Sequence, residues 1–318
     1  MAVILDLLVQ GAQMALVLLL APLLTGLVRK TKARLLRRQG APIVQPYRDL
    51  LRLLRKEVVL AENASWLFRV APYLIFASTW VAAALVPTFA TGLMFNWTAD
   101  LIAIIALLGS ARFFLALSGM DIGTSFGGIG SSREVMIASL AEPAMLLIVF
   151  TVALIAGSTQ LSTVSAFMAS PSVGLRMSLA LALVALIMVA LAENARIPVD
   201  NPSSHLEVTM VHEAMVLEYS GRHLAMIEFG GFLKLLLYVS LIASVFMPWG
   251  IADHAAGPVE YAFGAIAYLI KLALVGVLLA VFETAIAKMR VFRVSEFLGA
   301  ALMLGLLGTL LLFVSRSL

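Results

Sequence analysis

Ionisable side chains inside long apolar stretches are the residues of this sequence best suited to chemistry. Glu142 lies deep in such a stretch, and Glu193 ends another. Burying a charge in a membrane costs at least a few kcal/mol, so such groups usually line proton paths or pair with one another. We therefore predict a proton path with Glu142 as its leading candidate. Its predicted members are Glu142, Glu193, Glu207, Glu213, Glu218, Glu228, Lys234, Lys271 and Glu283, and Arg112 is a further charge that could take part.

Static ion pairs are the alternative for several of these side chains. Glu228 with Lys234, or Lys271 with a nearby carboxylate, would hold helices in register without moving protons. Glu228 and Glu283 lie nearer the ends of their apolar stretches, where water could solvate them. For the two lysines, both interpretations stay open.

A polar segment, residues 193–222, follows the fifth apolar stretch. Two prolines keep its first part non-helical. Ser204 and Glu207 then have the capping-box spacing that starts a helix, which we predict to continue through Tyr219. A mere connector would not need so many polar groups, so we expect an ordered element here.

Two histidines of this segment suggest a metal site, but their spacing argues against it. His205 and His212 are seven residues apart, which is about 10.5 Å of helical rise. One metal ion could not bind both side chains. We predict no metal site and expect these histidines to contact solvent or another subunit.

A glycine-rich segment, residues 123–130, suggests a phosphate-binding loop only weakly. It lacks a preceding strand and the Gly-Lys-Ser/Thr ending of such a loop. Ser131 and Glu134 have capping-box spacing instead. We predict that the glycines form a turn before the fourth helix, although a subunit contact stays open.

Composition indicates which elements must position these residues. Hydrophobic residues make up 62% of the 318 residues and charged residues 13%, against roughly 45–50% and about 25% in soluble domains. Stretches of about 20 apolar residues match the hydrocarbon core of a bilayer. The first stretch has the features of a retained helix and not of a signal peptide. We predict an all-α polytopic membrane bundle, residues 1–318 forming one integral membrane domain. Its eight helices are expected at about 3–28, 70–91, 99–118, 133–156, 174–193, 225–248, 262–282 and 297–315.

Basic residues set the expected orientation. The loop at about 29–69 carries eleven arginines and lysines against three acids, which makes it cytoplasmic by the positive-inside rule. The loops at about 119–132, 194–224 and 283–296 then lie on the same side, and both termini lie outside. We expect the first loop to set topology and bind anionic membrane lipid, or to dock a peripheral partner, and we expect no nucleic acid as a partner.

Cysteine is absent from the sequence. This chain cannot supply thiolates to an iron-sulfur cluster or a nickel-iron centre. The four histidines lie outside the long apolar stretches, so facing histidines for a haem within the membrane are not expected either. We predict no cofactor and no catalytic residue in this chain.

Two ordered motifs resemble NADH dehydrogenase subunit 1 of complex I and its hydrogenase relatives. The first loop is similar to the family's Q-P-x-x-D-x-x-K/R-L-L-x-K-E signature. The later loop is similar to its E-x-x-R-x-P-x-D and E-Y-S-G motifs. The residues that carry the resemblance are Gln45, Pro46, Asp49, Arg52, Leu53, Leu54, Lys56 and Glu57, then Glu193, Arg196, Pro198 and Asp200, then Glu218, Tyr219, Ser220 and Gly221.

One departure from the family pattern selects a branch. Quinone-reducing members carry several acids where this chain has Ser203 and His205 and retains Glu207. The run 196–221 is more similar to the membrane subunits of formate hydrogenlyase and hydrogenase-4. The resemblance therefore implies a membrane core subunit of a complex I-like group 4 nickel-iron hydrogenase.

The same resemblance implies the surroundings of the chain. It implies a multi-pass protein of the cell inner membrane that couples electron transfer to proton or sodium translocation. Expected partners are hydrogenase large and small subunits, an iron-sulfur subunit and antiporter-like membrane subunits, with the iron-sulfur clusters and the nickel-iron centre on partners. Residues expected to dock the redox arm or shape the loops are Gln45, Pro46, Asp49, Arg52, Lys56, Glu57, Arg196, Pro198, Asp200 and Tyr219.

Two other functions remain open at this point. One is the quinone-binding subunit of an NADH:quinone oxidoreductase. The other is a free-standing secondary transporter, although we find no inverted repeat or paired broken helices in the sequence.

Overall fold

The computed structural model describes residues 2–92, 95–170, 176–200, 211–252, 256–287, 289 and 293–317. These residues form an all-helical bundle. Its helices are α1 (Ala2–Leu35), α2 (Gln45–Leu54), α3 (Trp66–Leu85), α4 (Leu101–Asp121), α5 (Ser125–Ala156), α6 (Leu161–Ala169), α7 (Met177–Glu193), α8 (His212–Val216), α9 (Gly221–Phe246), α10 (Pro258–Ala285) and α11 (Val294–Ser317).

Seven helices of the described part are long and apolar enough to cross a membrane: α1, α3, α4, α5, α9, α10 and α11. The remaining predicted span, the fifth at 174–193, corresponds to α7, a shorter apolar helix. The predicted all-α multi-pass membrane bundle is therefore confirmed.

Helix α9 lies at the centre of the bundle and is its most buried span. It packs against α1 and α3, whereas α11 packs against α5 and α7. Leu233, Leu236 and Leu237 of α9 are fully buried in the main core. This arrangement brings the middles of α4, α5 and α9 together with the C-terminal end of α7.

The first predicted loop contains more helix than we predicted. Helix α1 continues past its apolar part to Leu35, and the amphipathic helix α2 follows within the loop. Pro46 occupies the first turn of α2, where a missing N–H costs nothing. Helix α6 was also not predicted, because its nine residues are too short to span a membrane.

The glycine turn predicted before the fourth helix is wrong. Thr124 caps α5, since its Oγ1 accepts a hydrogen bond from the backbone N–H of Gly127, and the helix begins at Ser125. Gly123 alone lies in the turn, with a φ of 71°. Ser131 is buried inside the helix and donates to the carbonyl of Ala116 on α4 instead of capping.

The remaining glycines of this segment let helices approach closely. An added Cβ at Gly127 would lie 2.1 Å from the carbonyl oxygen of Gly119 on α4. One at Gly130 would lie 2.9 Å from the carbonyl oxygen of Val211, next to α8. Gly127 and Gly130 therefore allow close packing of helices and do not form a turn.

The helix of the polar segment ends earlier than we predicted. Residues 201–210, which include Ser204, His205 and Glu207, lie outside the described residues. Helix α8 ends at Val216, and Tyr219 lies beyond it. The phenol ring of Tyr219 stacks on Phe68 of α3 with the ring centroids 3.8 Å apart, which fixes the chain there.

Candidate functional site: a charge cluster inside the bundle

Arg112 of α4 is buried among three carboxylates from two other helices. Its Nη1 lies 3.2 Å from Oε1 of Glu142, and its Nε lies 3.6 Å from Oε1 of Glu134. Its Nη2 forms an ion pair with Glu193. We call these residues, together with Lys234, the Arg112 cluster.

Lys234 supplies the second cation of the Arg112 cluster. Its Nζ lies 2.8 Å from Oε2 of Glu193, so Glu193 lies between two positive charges. The static pair between Glu228 and Lys234 that we considered is therefore wrong, because Lys234 pairs with Glu193. Lys234 and Arg112 lie near the middle of their helices, whereas Glu193 ends α7.

Glu142 connects the cluster with the surface of the chain. Its side chain is 45% exposed, whereas that of Glu193 is 2% exposed. Glu142 stands in the middle of α5, where lipid would solvate a carboxylate poorly. Another subunit or water must cover this face if the group is charged.

Glu283 belongs to a separate ion cluster at the ends of α1 and α10. It accepts hydrogen bonds from Lys32 at 2.9 Å and from Arg196 at 3.2 Å. Its side chain is 2% exposed, so the interpretation of a merely solvated carboxylate is wrong. Glu283 ties three segments together: α1, the chain after α7, and α10.

Lys271 lies apart from both clusters. It is buried in α10, and its Nζ lies 4.7 Å from the ring centroid of Trp249. Among the described residues, no carboxylate lies within ion-pair distance of it. Cation–π contact with Trp249 therefore replaces the expected carboxylate pair in this part of the chain.

The other predicted acids differ in their exposure. Glu218 is exposed, and Glu213 and Glu228 are half-buried near the ends of α8 and α9. Glu207 lies outside the described residues. The structure thus brings Glu142, Glu193 and Lys234 together, whereas Glu213, Glu218, Glu228, Lys271 and Glu283 lie outside the Arg112 cluster.

The two sequence motifs meet in space. The Oγ of Ser220 accepts from the N–H of Val59 and donates to its carbonyl, both at 2.8 Å. A Cβ at Gly221, where φ is 53°, would lie 2.7 Å from the carbonyl oxygen of Glu57 and 2.9 Å from that of Lys56. Only a glycine fits this approach without displacement.

Local hydrogen bonds shape each motif. Asp49 accepts from Gln45 at 3.0 Å within α2 and pairs with Arg52 at 3.3 Å. The hydroxyl of Tyr219 donates a hydrogen bond to the carbonyl of Phe68 at 3.1 Å, and burial raises the pKa of its phenol.

The carbonyl of Pro198 accepts a hydrogen bond from the N–H of Met289, and Asp200 is buried. Lys56 and Glu57 have exposed side chains, as a docking surface requires.

His212 brings a titratable group from α8 toward the cluster. Burial lowers the pKa of His212, while the charge of Glu134 acts in the opposite direction and Lys234 reinforces the decrease. His212 is therefore neutral at physiological pH, and the charge with the largest effect on its pKa belongs to Glu134, a carboxylate of the cluster.

Sequence reasoning missed Glu134 as a member of the site, because it interpreted that residue as a helix cap. Arg112 appeared only as a possible relay, although it is the centre of the cluster. Both residues could have been predicted from the tendency of charged side chains inside a membrane to pair with one another. One arginine inside an apolar helix requires a carboxylate on a neighbouring helix, and Glu134 is one of the acids that supply it.

Metal ligands are scarce in this chain. The sequence contains no cysteine, and within the described ranges no group of three histidines, aspartates or glutamates could hold a metal ion. The residues present do not fit an iron-sulfur cluster or a nickel-iron centre.

Comparison with known proteins identifies relatives over most of the chain. A family model described as NADH dehydrogenase matches residues 9–314. Hydrogenase-4 component C of Escherichia coli (strain K12) is 35% identical over 283 residues, which cover 88% of this chain and 87% of the relative. Formate hydrogenlyase subunit 4 of the same organism is 33% identical over 271 residues, which cover 85% and 87%.

Weaker similarities extend to other complexes. NADH-ubiquinone oxidoreductase chain 1 of Triticum aestivum is 27% identical over 242 residues, covering 72% of this chain and 73% of the relative. The fold is similar to that of a chain in the membrane-bound sulfane sulfur reductase, an archaeal respiratory membrane complex. That match has a TM-score of 0.80 at 18% identity and covers 96% of this chain and 99% of that chain. The predicted resemblance is confirmed: this chain belongs to the NADH dehydrogenase family and is a complex I-like membrane subunit.

Proposed function

We propose that this chain is the membrane core subunit of a complex I-like group 4 nickel-iron hydrogenase. In this role it anchors a peripheral redox arm and couples electron transfer there to proton translocation. The observation that carries the proposal is the Arg112 cluster, three carboxylates and two cations held inside a bundle whose relatives of higher identity include hydrogenase-4 component C and formate hydrogenlyase subunit 4.

The chain couples and does not catalyse in this proposal. Its residues do not fit an iron-sulfur cluster or a nickel-iron centre, so these groups belong to hydrogenase large and small subunits and an iron-sulfur subunit. Redox chemistry in that arm shifts the loops that carry both motifs, and the shift changes the proton affinity of the carboxylates. The motif residues at the contact of the two loops, such as Lys56 and Tyr219, dock or support the arm.

Glu142 points to a second kind of partner. A carboxylate that is 45% exposed in the middle of a spanning helix is costly against lipid. A neighbouring antiporter-like membrane subunit that covers this face removes the cost and receives the proton. Lys271 and Glu283 serve as outlying charges of the same path, and Glu193 with Glu213 and Glu218 lies on its entry side.

The membrane and the orientation follow from the same role. The basic first loop lies on the cytoplasmic side of the cell inner membrane, where a peripheral arm is accessible, and both termini lie outside. Sodium in place of protons would need ligands other than the Arg112 cluster, which pairs its carboxylates with protein cations.

The test is purification of the complex in mild detergent through a tag on this chain, followed by identification of its subunits and analysis for nickel and iron. Nickel and iron with a hydrogenase large subunit are the expected result. Iron without nickel, together with a flavin and NADH-oxidising subunits, would assign the chain to a quinone reductase. A metal-free single chain would assign it to transport.

A further inference from the structure

An open concavity of about 440 Å³ lies where α1 ends, and it is lined by Lys30, Arg34, Arg37, Arg38, Gln39 and Gly40. We call these six residues the basic pocket. Among the described residues, none of its four cations has a carboxylate within ion-pair distance. Positive charges that converge without a counter-charge repel one another, so a bound anion stabilises them.

Backbone hydrogen bonds fix the shape of the basic pocket. The N–H of Arg37 donates to the carbonyl of Arg34 at 3.0 Å, and the N–H of Arg38 donates to that of Ala33 at 2.8 Å. This pattern closes the C-terminus of a helix. The chain then folds back on α1, since a Cβ at Gly40, where φ is 64°, would lie 2.5 Å from the Cβ of Ala33. The fold therefore holds the backbone of the pocket in place.

Lys30 joins the two sides of the basic pocket. Its Nζ donates to the carbonyl of Gln39 at 2.6 Å and to the carbonyl of Gly40 at 3.2 Å. An ammonium group has three N–H donors. One donor of Lys30 is therefore left for a ligand in the pocket.

Arg37 occupies a backbone position that favours glycine. Its φ is 56°, in the left-handed region where a side chain is strained, and helices often have glycine at this point of the closing turn. Its side chain is exposed and has no ion pair among the described residues. The arginine strains the turn without a compensating contact in this part of the chain, so a ligand outside the chain explains its presence.

The basic pocket lies at the level of phospholipid headgroups. Lys32 of α1 pairs with Glu283 near the end of α10, and α10 exposes apolar side chains as far as Val281. The hydrocarbon core of the bilayer therefore ends close to Lys32. Arg37 follows five residues later, about 7.5 Å along the axis of α1, and the headgroup region is about 5 to 8 Å thick.

Exposed leucines adjoin the cations of the basic pocket. Leu35 and Leu36 stand between Arg34 and Arg37 in the sequence, and about half of the surface of each leucine is exposed. A free phosphate ion would leave these leucines in water, whereas a phospholipid covers them with its acyl chains. Arginine side chains form charge-assisted hydrogen bonds with phosphate oxygens. The two properties together favour a lipid as the occupant.

We propose that the basic pocket binds the phosphate of an anionic phospholipid headgroup from the adjoining leaflet. The arginines contact the phosphate oxygens, Lys30 donates its third N–H, and the acyl chains cover the exposed leucines. The bound lipid holds the end of α1 at the point where the first loop begins. This inference goes beyond the proposed coupling function and does not depend on it.

Native mass spectrometry tests the assignment on the complex purified through a tag on this chain and titrated with phosphatidylglycerol in neutral detergent. Loss of one cation near a membrane surface weakens the attraction to an anionic lipid about fivefold. We expect wild type to hold one phosphatidylglycerol that the variant Arg34→Gln with Arg38→Gln binds about 30-fold more weakly.

Arg48→Gln with Arg55→Gln is the matched control. It removes the same charge from two exposed arginines of the same loop that lie outside the basic pocket. The Kd of this control should stay within about twofold of wild type, because salt screens exposed charges beyond about 10 Å.

Arg37→Gly separates lipid binding from folding. Glycine relieves the left-handed strain, so the midpoint of thermal unfolding of the lipid-free complex should rise. The affinity for phosphatidylglycerol should fall about fivefold in the same variant. A lower midpoint together with unchanged lipid affinity would show that Arg37 serves the fold and would overturn its role in binding.

Three results would overturn the proposal. Equal weakening by the pocket variant and by the control would show that general positive charge is enough. Displacement of the lipid by an equal concentration of inorganic phosphate would assign the pocket to a free anion. Loss of peripheral subunits from the Arg34→Gln, Arg38→Gln complex, with lipid affinity unchanged, would assign the pocket to an acidic protein surface.

Discussion

At the scale of single residues, two buried carboxylates each pair with two cations from other segments of the chain. Glu193 lies between Arg112 and Lys234, and Glu283 lies between Lys32 and Arg196. Removing one partner of such a network leaves an uncompensated charge in a medium that solvates it poorly, which costs more than the pair contributes. Loss of either glutamate is therefore expected to destabilise the fold strongly.

Glu283→Gln keeps the shape of the side chain but leaves Lys32 and Arg196 without a counter-charge. We expect the free energy of unfolding to fall by about 3 to 5 kcal/mol, observed as a lower midpoint of thermal unfolding of the purified complex. Glu62→Gln is the matched control, because Glu62 is exposed and has no ion pair among the described residues. Equal midpoints for the two variants would contradict the role of Glu283.

Close contact between α4, α5 and α8 is the main feature at the scale of elements. Gly127 and Gly130 face neighbouring backbone, whereas Gly128 points into open space. The three positions belong to the same two turns of α5. Because their surroundings differ, alanine substitutions at these positions separate the effect of packing on stability from the effect of helix propensity.

Gly127→Ala places a methyl group 2.1 Å from the carbonyl oxygen of Gly119, so α4 and α5 must move apart. We expect a loss of about 3 kcal/mol or more, at the upper end of overpacking costs, and less assembled complex on size-exclusion chromatography. Gly128→Ala should instead gain about 0.5 to 1 kcal/mol from helix propensity. If both variants behaved alike, the close approach of α4 and α5 would be wrong.

The pH dependence of α8 follows from His212. Burial lowers the pKa of His212 below 6.5 in the folded chain, so an opened α8 binds a proton more readily than the closed one. The stabilisation is present above about pH 6.5 and is lost as the pH falls below that value. We expect hydrogen exchange of α8, corrected for the intrinsic rate, to accelerate by up to about tenfold per pH unit there.

His212→Gln provides the control for this prediction. Glutamine keeps a polar side chain at the position but does not titrate, so its α8 should exchange with no acid-dependent acceleration. An acceleration of equal size in the variant would assign the pH dependence to another group.

The whole molecule illustrates which features a sequence predicts. The membrane spans were predictable, because an apolar stretch of about 20 residues satisfies its backbone hydrogen bonds within a bilayer only as a helix. The motif residues from Gln45 to Glu57 and from Glu218 to Gly221 also predicted the family. Both kinds of feature are local in sequence.

Features that depend on packing between distant segments were not predictable in the same way. Glu134 has capping-box spacing with Ser131, and only the approach of α4 turns it toward Arg112. Lys234 was a candidate partner for Glu228, six residues away, but pairs with Glu193, 41 residues earlier in the chain. Helix propensity and spacing carry no information on such partners.

Proton translocation by the assembled complex in liposomes, with Glu142→Gln compared to wild type, tests the central claim most directly. Ser139→Ala is the control, since Ser139 is an exposed residue on the same helix. The coupling function predicts that Glu142→Gln retains its partner subunits but translocates protons about tenfold more slowly or worse, as expected when a proton-transfer group is lost, while Ser139→Ala translocates normally. An assembled Glu142→Gln complex that translocates protons at the wild-type rate would contradict it.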